Sequence, residues 1–106
     1  MAMLDEESPA PLPPDTQQAA LFHALAEPSR LALLKHLSTG EHRVRDLVEH
    51  LDLAQSTVSK HLFCLHENHL VQVRTAGRSS WYSLADPGRL SGLLAAADAL
   101  LTAKDH

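Results

Sequence analysis

The chain is short of the residues on which most enzymes, secreted scaffolds and membrane proteins depend. Among its 106 residues there is one cysteine, Cys64, so no internal disulfide can form. With one Trp, one Tyr and two Phe, a core has to be built from Leu, Ala and Val. Its four glycines form no phosphate-cradling loop, and no His-Glu-x-x-His pair or paired carboxylates stand beside a histidine. Ser56, Ser59 and His61 share one helical stretch, which gives no Ser–His–Asp relay, so an enzyme is not expected. No apolar run approaches the roughly 20 residues of a membrane span. The first residues, MAMLDEESPAPLPPD, lack the basic start and apolar stretch of a secretory signal. A reducing, cytoplasmic location and no membrane partner are the expectation. Positive charge is also scarce, with 9 Lys and Arg against 13 Asp and Glu. Any contact with nucleic acid must therefore come from a local basic patch.

Histidine, in contrast, is plentiful, with eight in the chain. The length suits one domain, and a chain this small gains stability readily by pairing with a second copy. Residues 1–14 hold four of the six prolines and three acids, and read as a flexible acidic tail. Residues 15–106 read as the folded domain. A first helix is expected from Asp15, capped by Asp15 with Gln18 in the manner of a capping box, with Ala19, Leu21, Phe22, Leu25 and Ala26 along one broad side. Glu27-Pro28 breaks it and opens a second helix to Leu37, with Leu31, Leu33, Leu34 and Leu37 inward. A third helix fits Arg43 to Leu51 on Val44, Leu47, Val48 and Leu51.

The stretch Ala54 to Leu70, AQSTVSKHLFCLHENHL, organises the rest. Val58, Leu62 and Leu65 step by four and three along one helical face, with Phe63 and Cys64 alongside. Gln55, Ser56, Ser59 and Lys60 lie opposite, and Thr57 turns partly toward the neighbouring helix. A helix with a packed face and a small polar leading face can enter a DNA major groove. Coming after a short helix and a tight turn, it completes a helix-turn-helix. The period then changes: VQVRTA and SSWYSL read as strands around Gly77-Arg78, a hairpin wing with Arg78 at its tip. Arg43, Arg45, Arg74 and Arg78 are the remaining candidates for a basic patch. Asp86-Pro87 opens a last helix striped with Leu90, Leu93, Leu94, Ala97, Leu100 and Leu101, apolar enough to be covered by a partner. The fold class is mainly α with a small β-hairpin: a homodimeric winged helix-turn-helix of about five helices and a two-stranded wing.

LAEPSRLALLKHL, LVEHLDLAQSTVSKHLFCL and HLVQVRTAGRSSWYSL closely resemble the ArsR/SmtB family of winged helix-turn-helix repressors, over roughly residues 17 to 100. The resemblance implies a homodimer joined through its first and last helices. It also implies double-stranded operator DNA with an inverted repeat as partner, and release when a metal ion binds. Related sequences often cap the recognition helix with Ser or Thr, where this chain has Ala54. The family's metal positions are also altered. Arg43 and Arg45 stand where one site has thiolates. Asp86 matches the Asp of a second site, but the helix after it has no histidine. Cys64 matches one cysteine of a third site, whose other position is Asn68.

Four donors remain in the recognition stretch itself: His61, Cys64, His66 and His69. Their spacings of three allow shared ligation. Each also has a plainer role, in packing, as a small hydrophobe, or as a helix C-terminal cap. His23, His36, His42 and His50 lie on the first three helices, with His42 beside the altered thiolate positions. His106 is terminal, and Asp5, Glu6 and Glu7 could add oxygen ligands from the tail. A histidine-rich, cysteine-poor set favours nickel, then zinc or cobalt, as a divalent cofactor. The residues leave three readings open: a metal-responsive DNA-binding repressor, a DNA-binding regulator with no metal response or with a redox response through Cys64, and a winged-helix interaction module. A second regulatory protein is the partner that the apolar last helix would suit in the third.

Overall fold

The computed structural model describes residues 13–103. Five helices and one hairpin follow in order: α1 (Pro14–Ala26), α2 (Pro28–Leu37), α3 (Val44–Leu51), α4 (Gln55–Glu67), β1 (Val71–Ala76), β2 (Ser79–Leu84) and α5 (Pro87–Ala103). This is the expected winged helix-turn-helix, with α3 and α4 as the two helices of the motif and β1–β2 as the wing. Residues 1–12 of the expected tail, and Asp5, Glu6, Glu7 and His106, lie outside the described residues.

α1 begins at Pro14, one residue before the expected Asp15. Pro13 is the N-cap and no side chain caps the helix, so the Asp15–Gln18 box does not form. A proline at the first position lacks only a donor that would be unpaired anyway, and Asp15 suits the positive end of the helix. At Glu27 the chain extends, and the Glu27 carboxylate accepts the Arg30 N–H at 2.8 Å, capping α2. Arg30 turns back to donate to the carbonyls of Ala24 at 2.8 Å and His23 at 3.2 Å. One pair of residues thus satisfies the end of α1 and the start of α2.

The link from α2 to α3 does more than connect them. His42 forms an antiparallel bridge with Tyr82 of β2, its N–H donating at 3.0 Å and its carbonyl accepting at 2.8 Å. Arg43 then caps α3 without an accepting side chain. Asp46 reaches back instead, accepting the Arg43 backbone N–H at 2.9 Å. After α3, Asp52 sits in the left-handed region at φ 55° and its N–H bonds the Val48 carbonyl at 3.0 Å. Asp52 therefore ends α3, and α4 starts from Ala54 with no side-chain cap.

The end of α4 is a six-to-one turn. The Leu70 N–H reaches the Leu65 carbonyl at 2.9 Å and the His69 N–H reaches the His66 carbonyl at 3.1 Å. His69 occupies the left-handed position, φ 61°, that usually belongs to glycine. In the hairpin, Val71 faces Leu84, Val73 faces Tyr82 and Arg74 faces Trp81. Gly77, at φ 63°, supplies the first residue of the two-residue turn, as a II′ turn requires.

Leu33, Leu34 and Leu37 of α2, Leu47 of α3, Val58, Leu62 and Leu65 of α4, Val71 and Leu84 of the hairpin and Leu90 of α5 form one buried cluster. It contains leucine and valine alone, as the scarcity of aromatics requires. The terminal helices are only partly covered. α1 buries Ala24 fully but leaves Phe22 49% exposed, and α5 buries Leu90 but leaves Leu100 77% and Leu101 65% exposed.

Two substitutions test this packing in urea or thermal melts. Leu65→Ala, at a fully buried site, should cost about 2–5 kcal/mol. His69→Gly should raise stability by roughly 0.5–1 kcal/mol, because relief of the left-handed backbone exceeds the added chain entropy.

Candidate nucleic-acid interface and histidine cluster

α4 is amphipathic along its whole length. With Val58, Leu62 and Leu65 buried, Gln55, Ser56, Ser59 and Lys60 are exposed and Thr57 is half-buried. Phe63 was expected beside the apolar face but is 68% exposed. It lies one helical turn beyond Ser59, and lines a shallow groove with Ser59, His66, Val73 and Tyr82. The outer face therefore carries a polar leading half and one aromatic ring. At its N-terminal end, a second cleft gathers Arg45 of α3, Gln55 of α4, and Ser79 and Ser80 of the wing.

The structure sorts the cations. Arg43 donates through Nε and Nη2 to both carboxylate oxygens of Asp46, each at 3.1 Å. Arg74 holds Glu41 in the same two-pronged way, at 2.8 and 2.9 Å. Both guanidiniums also lie over the Trp81 ring, 4.9 and 5.9 Å from its centre. Arg89 pairs with Asp86. Among the described residues, Arg30 spends its guanidinium on backbone carbonyls, and Lys35, Arg45, Lys60 and Arg78 are left without a carboxylate partner. Two members of the expected basic patch, Arg43 and Arg74, are thus committed within the fold, while Arg45 and Arg78 remain open to solvent.

The four donors proposed on α4 do not converge. His66 lies five residues beyond His61, about 140° around the helix axis. His61 Nε2 is 3.5 Å from Glu27 Oε1, on the side facing the α1–α2 junction. Burial holds the His61 pKa below its ordinary value, with Glu27 opposing that shift. His66 faces the wing and His69 faces α1. Cys64 is half-buried, and Asn68 donates to its carbonyl at 2.9 Å with the same amide 3.9 Å from Sγ. Asn68 therefore presents a donor where a metal site needs a ligand. Arg43, salt-bridged to Asp46, fills one altered thiolate position, and Asp86 accepts the Arg89 N–H at 3.0 Å as the cap of α5.

A different set does converge. His36 on the last turn of α2, His42 in the α2–α3 link and His50 on the last turn of α3 each bring one ring nitrogen within 4.8 Å of the others. It is the one such group of three among the described residues. The ring centres are 4.6, 4.9 and 5.5 Å apart. His36 Nε2 and His50 Nδ1 share a hydrogen bond at 2.9 Å, and His42 Nδ1 bonds the Gly40 carbonyl at 2.8 Å. Burial, then the neighbouring His42 and His50, hold the His36 pKa below its ordinary value. The expectation that all three lie on helices holds for His36 and His50 but not for His42, which lies in the link, and separations of six and eight residues match no helical repeat that would join them in the sequence.

A family model described as "Bacterial regulatory protein, arsR family" matches residues 27–73. The probable mercury resistance operon repressor of Streptomyces lividans is 43% identical over 74 residues, which are 70% of this chain and 58% of that protein. The chain spans between half and two thirds of the length of the first repressors it matches. The crystal structure of Mycobacterium tuberculosis Rv0081 is 30% identical with a TM-score of 0.75, covering 87% of this chain and 92% of that one. The solution structure of Mb0332 from Mycobacterium bovis, a homodimeric winged helix-turn-helix DNA-binding domain, is 28% identical with a TM-score of 0.73, covering 86% and 87%.

The Arg43–Asp46 pair makes stability depend on acid. Its guanidinium and backbone bonds lower the Asp46 pKa from 3.8 to about 2. A carboxylate with a lowered folded-state pKa stabilises the fold above its unfolded pKa, and the contribution fades as pH falls through the folded value. Asp46→Ala should therefore melt below the parent protein at neutral pH. The gap should close between about pH 4 and pH 2, as read by melts across that range.

Proposed function

Because the chain belongs to the ArsR family of bacterial regulatory proteins, we propose that it is a homodimeric, sequence-specific DNA-binding transcriptional repressor that responds to a divalent metal ion. The observation that carries the reading is the outer face of α4: exposed, free of acids through its first half, and flanked by the unpaired cations Arg45, Lys60 and Arg78. Affinity for DNA rests on neutralising phosphates, and a net charge of -4 makes the placement of those few free cations decisive.

In this reading α4 enters the major groove. Gln55 pairs with a base edge through its amide, Ser56, Thr57 and Ser59 hydrogen-bond to bases or phosphates, and Lys60 meets the backbone. Phe63 adds an apolar surface able to meet a thymine methyl. Arg78 at the tip of the wing reaches a phosphate or the minor groove. A second copy covers the exposed leucines of α5 and Phe22 of α1, and so presents two α4 helices to the half-sites of an inverted repeat. Nickel, with zinc or cobalt next, is the effector that the abundance of imidazole favours. The kinship with a mercury-resistance repressor supports an inducible regulator, although soft-metal thiolate sites are not what this donor set offers.

Fluorescence anisotropy with inverted-repeat duplexes at several salt concentrations tests the DNA half. Binding should weaken linearly with the logarithm of salt. Lys60→Ala should reduce that slope by about one, and Gln55→Ala should cost about 1–3 kcal/mol and relax preference at one base position. A chain showing no salt-dependent, sequence-preferring binding would sink the proposal.

A further inference from the structure

We propose that His36, His42 and His50 form a divalent transition-metal site within each chain, and that the bound ion clamps α2, α3 and the wing together. No residue of α5 or of the recognition helix takes part.

The first argument is convergence. The three rings arrive from three separately anchored segments: α2 is pinned by Leu33, Leu34 and Leu37, α3 by Leu47, and the His42 backbone by its bridge to Tyr82. Donors held by packed elements lose little freedom when an ion binds, which is what a built site requires. A tetrahedral ion with bonds of about 2.05 Å needs its nitrogens about 3.3 Å apart. The nitrogens here lie within 4.8 Å of one another, and the closest hydrogen-bonded pair is at 2.9 Å. Closing that difference needs at most about 1.5 Å of movement between nitrogens.

The second argument is orientation. A metal-ligating histidine usually donates its other ring N–H to a carbonyl, which fixes the tautomer. His42 does this: Nδ1 bonds the Gly40 carbonyl, leaving Nε2 as the free donor. Gly40 stands at φ 137°, a conformation that side-chain-bearing residues rarely adopt, and its carbonyl is thereby turned to the ring. Between His36 and His50 one nitrogen must hold a proton for their hydrogen bond to exist. An ion replaces that proton and satisfies both lone pairs.

The third argument is the absence of a competing explanation. Among the described residues, no hydrogen bond or salt bridge joins any of the three rings to a carboxylate, so none of them is there to serve an ion pair. Three imidazole nitrogens suit zinc, cobalt or nickel, with solvent free to complete the coordination shell.

The placement also defines a regulatory role, which rests on the DNA-binding reading above. His50 and His36 join the first helix of the helix-turn-helix to α2, and His42 carries the constraint through the Tyr82 bridge into β2. An ion would fix the angle between α3 and the wing, the two walls of the cleft that holds Arg45, Gln55, Ser79 and Ser80. Coupling between ion and DNA must then be reciprocal.

Titration of the full chain with cobalt(II), followed by visible absorption and reversed with zinc(II), tests the site. One ion per chain is expected, with affinity falling roughly tenfold or more in His36→Gln and in His50→Gln. Cys64→Ser and His66→Gln should bind as the parent does. Thermal melts without metal verify that each variant folds, and DNA anisotropy on the same metal-free samples reports the DNA reading separately. The inference is overturned if no divalent ion binds, if both histidine variants bind unchanged, or if Cys64→Ser or His66→Gln abolishes binding. DNA binding retained in any of those cases would leave the repressor reading intact. Normal ion binding without DNA binding would do the reverse.

Discussion

The whole molecule depends on burying one stripe of α4. Val58, Leu62 and Leu65 are fully enclosed, and the residues around them come from α2, α3 and β1. With so few aromatics, each leucine carries a large share of the core, and there is little spare apolar surface to compensate for a loss. That constraint also sets the exposed face of α4. Once one side of a 13-residue helix is sealed, the register of the other side is set, and Gln55, Ser56, Ser59, Lys60 and Phe63 have to face outward. The polar outer face and the packed face are consequences of a single helical phase.

Electrostatics follows from a similar economy. The chain is acidic, and three of its arginines are tied to carboxylates within the fold. The Arg74–Glu41 and Arg89–Asp86 pairs are largely exposed and contribute little stability individually, whereas Arg43–Asp46 is part-buried. Their effect is to place charge. Arg43 and Arg74 flank Trp81 and brace the wing against the α2–α3 link, which leaves Arg45, Lys60 and Arg78 as the open cations around the α4 face. Pairing within the fold, more than the number of cations, decides which of them stay open to solvent.

Much of the fold can be read directly from the residues. The helices appear as three-and-four spacings of leucine and valine, the wing as a change of period around Gly77, and the missing cap of α4 as Ala54. The errors share a physical cause, because each depends on a neighbour distant in sequence. Phe63 reads as lying beside the apolar face because it adjoins Leu62, yet the wing residues across its groove leave it 68% exposed. Arg43 and Arg74 looked like free cations until Asp46 and Glu41 were placed beside them. The α4 donors looked like a site because spacing within one helix is visible in a sequence. The histidines that do meet come from two helix ends and a link, and only the packing of α2 and α3 on α4, with the link bridged to β2, brings them together.

The His42–Tyr82 bridge shows why the link between the helices matters. Two backbone hydrogen bonds join a six-residue connection to the inner strand of the wing, so β2 is paired on both edges, with β1 on one and His42 on the other. A wing attached only through its own hairpin would be free to rock about the end of α4. Attached also to the start of α3, it must move with the helix-turn-helix. Anything that shifts the α2–α3 link therefore shifts α3 and the wing together, on either side of the cleft that holds Gln55. The coupling between α3 and the wing runs through the short segment behind α4 that bridges to β2.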